Sequence, residues 1–383
     1  MAHADRIFTI TDRDSTTKAR LGMLHLPHGE VNTPMFMPVG TNGTVKAMHH
    51  SAVEDIGYNL ILGNTYHLYL RPGMEVISSY GGLHRFSSWK HNILTDSGGF
   101  QIFSLAGLRK IKPEGVQFRS HIDGSLHALT PEHVVDIQRT LGSDILMCLD
   151  VCTPPDITHR KAVEALAITT SWAKRSYRQW KIYDGEYQGK LFGIIQGNFF
   201  KDLRKQSAEE IGLIDFPGMA IGGLSVGESP EQFREYLGYT AELIDIEKPR
   251  YVMGIGTPEY ILEAVEQGID IFDCVFATRT ARTGSVFTDQ GMIQLKKVRH
   301  ALDQGPIQEG CSCTACTTYS RGYLRHLFKT NEILGPMLAT EHNLKYLYTL
   351  MDSIRAHIQE GDFAAFKRSF LSTYQGDTSP GSL

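Results

Sequence analysis

The chain has 383 residues, of which 42% are hydrophobic and 21% are charged. This composition is typical of a globular protein and excludes a disordered, collagenous or fibrous one. Its 38 Lys and Arg residues against 42 Asp and Glu residues give a formal charge of −4, so total charge does not indicate a nucleic-acid partner. Length alone suggests two or three domains, although a single α/β barrel also reaches this size.

The cysteine content and the N-terminal sequence indicate the cellular compartment of the protein. Six cysteines are too few for a disulfide scaffold, and Cys311, Cys313 and Cys316 are clustered as metal ligands are. The first 14 residues are rich in charge and lack the apolar segment of a signal peptide. No run of 18 apolar residues occurs, so we expect a cytoplasmic protein without membrane contact.

Eight short apolar segments recur along the chain, and most are followed by a helical pattern. Several are apolar at every position, as in ILMCL at 145–149, which is typical of parallel strands buried on both faces. The segments cover residues 35–39, 59–63, 92–95, 144–149, 191–196, 219–223, 251–255 and 269–275.

Three helices have clear start signals, namely Thr130-Pro131-Glu132, Ser229-Pro230-Glu231 and Thr257-Pro258-Glu259. In each, a hydroxyl can cap the helix, the proline has no N–H to satisfy, and the acid complements the helix dipole. Ser229 and Gln232 also fit a capping box.

Strands that alternate with helices predict an α/β fold, a (β/α)8 barrel that takes in residues 1–383. A doubly wound sheet is the alternative, but no strand is followed by a G-x-G-x-x-G or a P-loop motif. We expect the first 30 residues to form a hairpin that caps the barrel. Residues 284–345 break the alternation and predict a metal-binding subdomain inserted between strand 8 and the last barrel helix.

Polar side chains stand where predicted strands end. Asp96 follows the third strand, Asp150 follows the fourth, Gln196 ends the fifth, and Asp273 lies in the eighth. Each alone is typical of a residue that stabilises a turn. Because barrel active sites form at the C-terminal ends of the strands, we expect these four to converge on one site.

Two carboxylates across a pocket suit chemistry at an anomeric carbon, where one attacks or shields the carbon and the other moves a proton. The residue types leave open which carboxylate attacks. Asp150 and Gln196 offer acceptors and donors for a flat heterocycle, and Gly223 could add a backbone N–H. Phe100 and Met253 could sandwich the ring, although Met253 fits core packing equally well.

Several motifs together resemble the bacterial tRNA-guanine transglycosylases over essentially the whole chain. They are DSGGFQ, LDVC, the glutamine of GIIQG, AIGGLSVGE, FDCV and ATRTARTG, followed by C-x-C-x2-C and a distant histidine. The resemblance implies a pentosyltransferase of queuosine biosynthesis. Such an enzyme exchanges guanine at wobble position 34 of tRNAs with a GUN anticodon (Asp, Asn, His and Tyr type) for the precursor preQ1, 7-aminomethyl-7-deazaguanine.

The same resemblance implies roles for individual residues. Asp273 would be the nucleophile that forms a covalent ribosyl ester at C1′, and Asp96 would be the general acid and base. Val226 stands where eukaryotic members have glycine, which favours preQ1 over the bulkier queuine. The implied base-binding residues are Asp150, Gln196, Gly223, Leu224 (through its carbonyl), Phe100, Met253 and Cys152.

The family pattern adds His342 to the three clustered cysteines. Three cysteines and one histidine make a closed tetrahedral Zn2+ site, which is structural rather than catalytic. His300 and His326 lie nearby in the sequence and are alternative ligands. We expect His342 to open the last helix and the metal to attach the insertion to that helix.

Charge is unevenly distributed along the chain. The segment 279–329 has eight basic and three acidic residues, a net +5, which leaves −9 for the rest. Basic side chains of this segment could bind phosphates, although Arg321, Arg325 and Lys329 also fit a solvated helix face. The predicted RNA-binding residues are Thr278, Arg279, Arg282, Lys296 and Lys297. A homodimer is implied by the resemblance alone.

Two other functions remain open at this point. A retaining glycoside hydrolase on the same barrel would also use two carboxylates, but it explains neither the pairing of Asp150 with Gln196 nor the cysteine cluster. A non-catalytic RNA-binding subunit of the family would not need both Asp96 and Asp273.

Overall fold

Eight parallel strands form a closed barrel in the computed structural model, which describes residues 6–104 and 109–374. Three smaller antiparallel sheets surround it. The strands are β1 (Phe8–Arg13), β2 (Arg20–Leu26), β3 (Gly29–Thr33), β4 (Met35–Met37), β5 (Leu60–Gly63), β6 (Asn92–Thr95), β7 (Arg109–Lys112), β8 (Gly115–Arg119), β9 (Leu126–Leu129), β10 (Ile145–Met147), β11 (Lys190–Ile195), β12 (Gly218–Ile221), β13 (Arg250–Val252), β14 (Ile271–Asp273), β15 (Ser285–Thr288) and β16 (Gly291–Gln294).

The barrel strands follow one another around the ring in chain order, β4-β5-β6-β10-β11-β12-β13-β14, and β14 pairs with β4. The ring closes between β4 and β5, where Val39 bridges Leu62 and the Gly40 N–H donates to the Leu62 carbonyl at 2.7 Å. Every predicted segment overlaps one barrel strand, with starts that differ by at most two residues. The (β/α)8 prediction is therefore confirmed, and the doubly wound alternative is wrong.

Most of the helices pack around the barrel. The helices are α1 (His50–Ile56), α2 (Thr65–Leu70), α3 (Met74–Tyr80), α4 (Leu83–Ser87), α5 (Gly99–Ser104), α6 (Pro131–Leu141), α7 (His159–Ile182), α8 (Lys201–Gly212), α9 (Pro230–Glu242), α10 (Pro258–Glu266), α11 (Phe276–Ala281), α12 (Thr314–Thr318), α13 (Arg321–Lys329), α14 (Leu334–Glu360) and α15 (Phe363–Tyr374). Of these, α12 and α13 pack in the C-terminal part of the chain. None of these helices has the length and apolar character needed to cross a membrane.

The predicted helix starts are in place, with one difference in detail. The Thr130 hydroxyl accepts from the backbone N–H of His133, the third residue of α6. Ser229 and Gln232 form the capping box of α9. Thr257 does precede α10, but its side chain makes no capping hydrogen bond.

Two peripheral sheets differ from the sequence prediction. The N-terminal segment forms the three-stranded sheet β1-β2-β3 rather than a hairpin. Arg20 of this sheet donates through Nε and an Nη nitrogen to both oxygens of Asp270 beneath β14, and both side chains are buried. The sheet β7-β8-β9 was not predicted, because its first strand is the largely exposed, polar segment RKIK.

The chain beyond α11 surrounds a second apolar cluster, separate from the barrel core, that includes Ile307, Leu324 and Leu338. The hairpin β15-β16 and helices α12 and α13 belong to this part of the chain. Helix α14 joins the two clusters, because Leu338 packs in the second and Leu347 in the barrel core. His342 lies inside α14 and α15 follows, so the prediction that His342 opens the last helix is wrong.

Candidate active site and metal centre

Asp96 follows β6 directly and is almost entirely buried. Its carboxylate accepts hydrogen bonds from Asn64 Nδ2 at 2.6 Å, from the Thr65 backbone N–H at 2.8 Å and from Gln101 Nε2 at 2.8 Å. These bonds lower its pKa, but burial outweighs them and raises the pKa from 3.8 to about 6, with a smaller contribution from the negative charge of Asp273. Asp96 can therefore exchange a proton near neutral pH.

Asp273 is the last residue of β14 and is half-buried. The Tyr251 hydroxyl donates to its Oδ1 at 2.5 Å, and the Gly254 backbone N–H donates to the same oxygen at 3.1 Å. Burial raises its pKa, and these two donors oppose the rise. Since both bonds use Oδ1, the carboxylate is held at one oxygen while Oδ2 has no hydrogen-bond partner within 6–104 and 109–374.

Asp150, Gln196 and Gly223 come together beyond the ends of three neighbouring strands. Gln196 Nε2 donates to Asp150 Oδ2 at 2.6 Å, and the Ser97 hydroxyl lies 3.4 Å from Asp150 Oδ1. Gln196 Oε1 is buried without a partner in the described part of the chain. Gly223 has a φ of +69°, a left-handed conformation that favours glycine, and a Cβ there would stand 2.6 Å from that oxygen. The cluster thus presents acceptors and donors to a planar polar ligand.

The other predicted base-binding residues differ widely in how exposed their side chains are. Leu224 is buried next to Gly223, and Met253 is partly buried after β13. Cys152 shares a small cavity with Asp150, and burial raises the pKa of its thiol to about 12. Phe100 is 58% exposed and stacks on Phe103, with ring centroids 6.4 Å apart. Their contact with a base stays a prediction.

Residues that hold the two acids were missed by sequence reasoning. Tyr251 is fully buried in β13, and its hydroxyl is bonded to Asp273. A tyrosine inside an apolar strand is itself a signal, because a buried hydroxyl needs a hydrogen-bond partner. Asn64 and Gln101 hold Asp96, and they carry no comparable sequence signal because amides are common in turns.

Cys311, Cys313, Cys316 and His342 form one cluster that could hold a metal ion. His342 Nδ1 lies 3.8, 3.5 and 3.3 Å from the three sulfurs in turn. A tetrahedral Zn2+ with ordinary bond lengths separates its nitrogen and sulfur ligands by about 3.6 Å. The Nε2–H of His342 donates to the Phe287 carbonyl at 2.8 Å, which fixes the ring so that Nδ1 faces the sulfurs. His300 instead contacts Asp303.

The predicted RNA-binding residues do not form one uniform surface. Arg279 is exposed on α11, six residues after Asp273, and Arg282 is partly buried at the end of the same helix. Lys296 and Lys297 are exposed after β16. Thr278 is buried, and its hydroxyl donates within its own helix to the Val275 carbonyl. All five stay predictions as RNA contacts.

Comparisons with known proteins bear on this site. The family model described as queuine tRNA-ribosyltransferase matches residues 14–376. The chain belongs to this family. The queuine tRNA-ribosyltransferase of Borrelia hermsii is 54% identical over 96% of this chain and 98% of the relative. That of Treponema denticola is 52% identical over 98% and 99%, and that of Pelotomaculum thermopropionicum is 53% identical over 97% and 99%.

Membership confirms the predicted resemblance and the prediction of a pentosyltransferase enzyme. The same match leaves the two alternatives, a glycoside hydrolase and a non-catalytic RNA-binding subunit, without support. The match does not decide the roles of individual site residues.

The raised pKa of Asp96 predicts that its carboxyl is mostly protonated below pH 6 and mostly ionised above it. We expect a carboxyl carbon-13 titration of the folded protein to show a midpoint near 6, assigned by its loss in Asp96→Asn. Exposed Asp123 is the internal control, because hydrogen bonds from Ser125 lower its pKa to about 2. A midpoint for Asp96 near the ordinary aspartate value of about 3.9 would contradict the prediction.

Proposed function

We propose that this protein is a tRNA-guanine transglycosylase that replaces guanine at position 34 of tRNAs with a GUN anticodon by preQ1. The proposal rests on two pairs of polar residues that lie at the same mouth of the barrel. Asp96 and Asp273 are acids suited to chemistry at a glycosidic carbon, and Asp150 with Gln196 is a polar pair suited to a purine. Such an enzyme works where tRNA is modified, in the cytoplasm.

In the first displacement, Asp273 Oδ2 attacks C1′ of the nucleotide and forms a covalent ribosyl ester. The C1′–N9 bond breaks, its electron pair goes to N9, and Asp96 supplies the proton that neutralises the departing guanine. The pKa near 6 suits Asp96 to this task, because it retains a useful protonated fraction near neutral pH. The ester keeps the tRNA attached while the bases exchange.

In the second displacement, N9 of preQ1 attacks C1′, its proton passes to Asp96, and the Asp273 carboxylate leaves. Two inversions retain the β configuration. Asp150 and Gln196 bind the edge of either base, Gly223 donates its backbone N–H, and the Leu224 carbonyl accepts from the aminomethyl group of preQ1. Phe100, Met253 and Cys152 complete the base pocket.

The side chain of Val226 narrows the pocket where the aminomethyl group would lie. It is partly buried in the loop after β12, and its backbone N–H donates to Glu228 at 2.8 Å. A β-branched residue there leaves little room for the cyclopentenediol of queuine, which supports preQ1 as the incoming base.

The target base must leave its stack to enter a barrel mouth, and an anticodon loop is already single-stranded. Arg279 stands closest in sequence to the nucleophile and is the first candidate to bind a phosphate beside the flipped nucleotide. Arg282, Lys296 and Lys297 extend the positive charge along the chain, and Thr278 would contribute only through its backbone.

The metal is inferred to be Zn2+, held by Cys311, Cys313, Cys316 and His342. Four protein ligands fill a tetrahedral coordination sphere, so the ion stabilises the fold and leaves no position for a substrate. We accordingly propose residues 284–345 as a zinc-binding subdomain inserted in a chain whose barrel spans 1–383.

Base exchange is tested with labelled guanine or preQ1 and an unmodified tRNA with a GUN anticodon. We expect Asp273→Asn to lose exchange by on the order of 10⁴-fold or more, because the nucleophile is gone. Asp96→Asn should lose at least about 100-fold, because proton transfer is gone. Asp215→Asn, at a carboxylate that is 93% exposed, should match the native chain.

Two results would overturn parts of this function. A folded, metal-replete native chain that incorporates no base would contradict the transglycosylase itself. A covalent tRNA adduct, isolated on a denaturing gel and mapped to Asp96 rather than Asp273, would reverse the two roles.

Metal analysis of the purified protein should find one zinc per chain. His342→Ala should lose the metal and lower the melting temperature, since metal binding contributes to folding. His326→Ala is the matched control, because it removes a nearby histidine outside the cluster. Should the His342 variant not fold, cobalt titration of the metal-free native chain gives the same answer. Octahedral oxygen coordination in place of tetrahedral thiolate coordination would contradict the proposal.

A homodimer is also inferred, because one barrel mouth is narrow relative to a tRNA and a second subunit could support the rest of that molecule. Exposed apolar side chains beyond α11, among them Leu302 at 93% and Ile333 at 75%, are candidate interface residues, as is Leu213 at 89% after α8. We expect sedimentation at micromolar concentration to give twice the chain mass. A monomer under these conditions would contradict the inference.

A further inference from the structure

Arg204 of α8 is a fully buried arginine without a hydrogen-bonded carboxylate in the described part of the chain. Its Nε donates to the Asn198 carbonyl at 2.7 Å. One Nη nitrogen donates to the carbonyls of Gly222 and Gly223, at 3.2 and 3.3 Å. Burial lowers the pKa of Arg204 to about 10, so the guanidinium is still charged at neutral pH. The buried, charged guanidinium of Arg204 therefore binds three backbone carbonyls from two loops.

Asn198 extends this connection to a third loop. Its Nδ2 donates to the Thr153 hydroxyl at 3.0 Å and to the Pro154 carbonyl at 2.9 Å, both in the loop after β10. Its backbone has a φ of +51°, a left-handed conformation that asparagine tolerates better than most residues. Before it, Gly197 allows a close approach, because a Cβ there would stand 2.6 Å from the Arg204 backbone nitrogen.

These three loops are the ones that carry the base-binding cluster. Asp150 precedes Thr153 in the loop after β10, Gln196 precedes Asn198 in the loop after β11, and Gly223 itself accepts from Arg204. The polar atoms of the cluster must keep fixed spacings to match the edge of a purine, because hydrogen bonds weaken steeply when their geometry is lost.

We propose that Arg204 and Asn198 are positioning residues for the base, which set the spacing of the three loops after β10, β11 and β12 without touching the ligand. This inference rests on the proposed function and assigns residues to its base-recognition step. Arginine suits the task because its planar guanidinium has five N–H donors in a fixed fork and can bind several carbonyls at once. Lysine, a single flexible ammonium, cannot hold the same three carbonyls in one geometry.

The test compares Arg204→Lys with Arg250→Lys. Arg250 is a matched control at the opposite end of the barrel, because it too is buried, has a pKa lowered to about 10 by burial, and donates to a backbone carbonyl, that of Ile244. For each variant, kcat, the KM for guanine, the KM for tRNA and the melting temperature are measured in the exchange assay with the full chain.

We expect Arg204→Lys to raise the KM for guanine by about tenfold or more, with a smaller change in kcat, since mispositioned loops weaken binding of the base. The KM for tRNA should stay within about twofold of native, because phosphate contacts lie elsewhere. Arg250→Lys should lower the melting temperature about as much as Arg204→Lys does. It should leave the KM for guanine unchanged. Thr153→Val, which removes the hydroxyl that accepts from Asn198, should shift the KM for guanine in the same direction by less.

An unchanged guanine KM in folded Arg204→Lys would overturn the proposal, as would equal changes in Arg204→Lys and Arg250→Lys. If neither arginine variant folds, Thr153→Val and Asn198→Asp decide. Thr153→Val removes one acceptor, and Asn198→Asp replaces the amide that donates to the Thr153 hydroxyl and the Pro154 carbonyl. An unchanged guanine KM in both would then overturn it. A native chain that exchanges no guanine contradicts the proposed function instead, so the two failures are distinct.

Discussion

Closure of the parallel sheet between β4 and β5 is the constraint on which the site depends. Asp96 follows β6 and Asp273 ends β14, and these strands lie five positions apart along the hydrogen-bonded order that starts at β4 and ends at β5. In an open sheet, five spacings of about 4.8 Å would separate the two carboxylates by about 24 Å. The bridge of Val39 to Leu62 curls the sheet into a ring, so that both acids reach one mouth.

The three aspartates at this mouth share one electrostatic feature. The hydrogen-bond donors to Asp96, Asp150 and Asp273 are amides, hydroxyls and backbone N–H groups, all of them neutral. Neutral donors stabilise a carboxylate less than a cation does, so burial keeps each pKa above its ordinary value. An arginine bonded to Asp96 would keep it ionised and prevent its proposed use as an acid. The absence of cationic partners within the described residues therefore suits the proposed proton transfer.

Much of the fold was predictable because barrel strands have a strong local signal. Strands buried on both faces must be apolar throughout, so β10 and β11 were visible as short apolar runs, and the polar residue after each run marked the mouth. The sheet β7-β8-β9 was not predictable in this way, because exposed strands such as β7 need no apolar pattern. The spacing of the three cysteines was enough to predict a metal-ligand cluster. His342 was predicted only from the resemblance to the family.

Contacts that act through another residue were the least predictable. The hydroxyl of Tyr251 reaches Asp273 across neighbouring strands. Two of the three carbonyls bound by Arg204 belong to glycines, and a glycine in a sequence indicates backbone conformation but not a hydrogen-bond partner. Such partners are set by the register of β13 against β14 and by the packing of α8 on the barrel, and both are tertiary properties. Residue type and spacing alone cannot specify them.

Helix α14 connects the cluster of three cysteines and His342 to the proposed catalytic mouth through two consecutive residues. His342 faces the three cysteines and donates to the Phe287 carbonyl, while the next residue, Asn343, accepts from the Phe287 N–H at 3.0 Å. Asn343 also donates to the Ala277 carbonyl of α11 at 2.9 Å. Because α11 begins three residues after Asp273 and carries Arg279, an ion that fixes His342 also restrains the helix beside the proposed nucleophile. A metal with no chemical step of its own can in this way contribute to the geometry of the reaction.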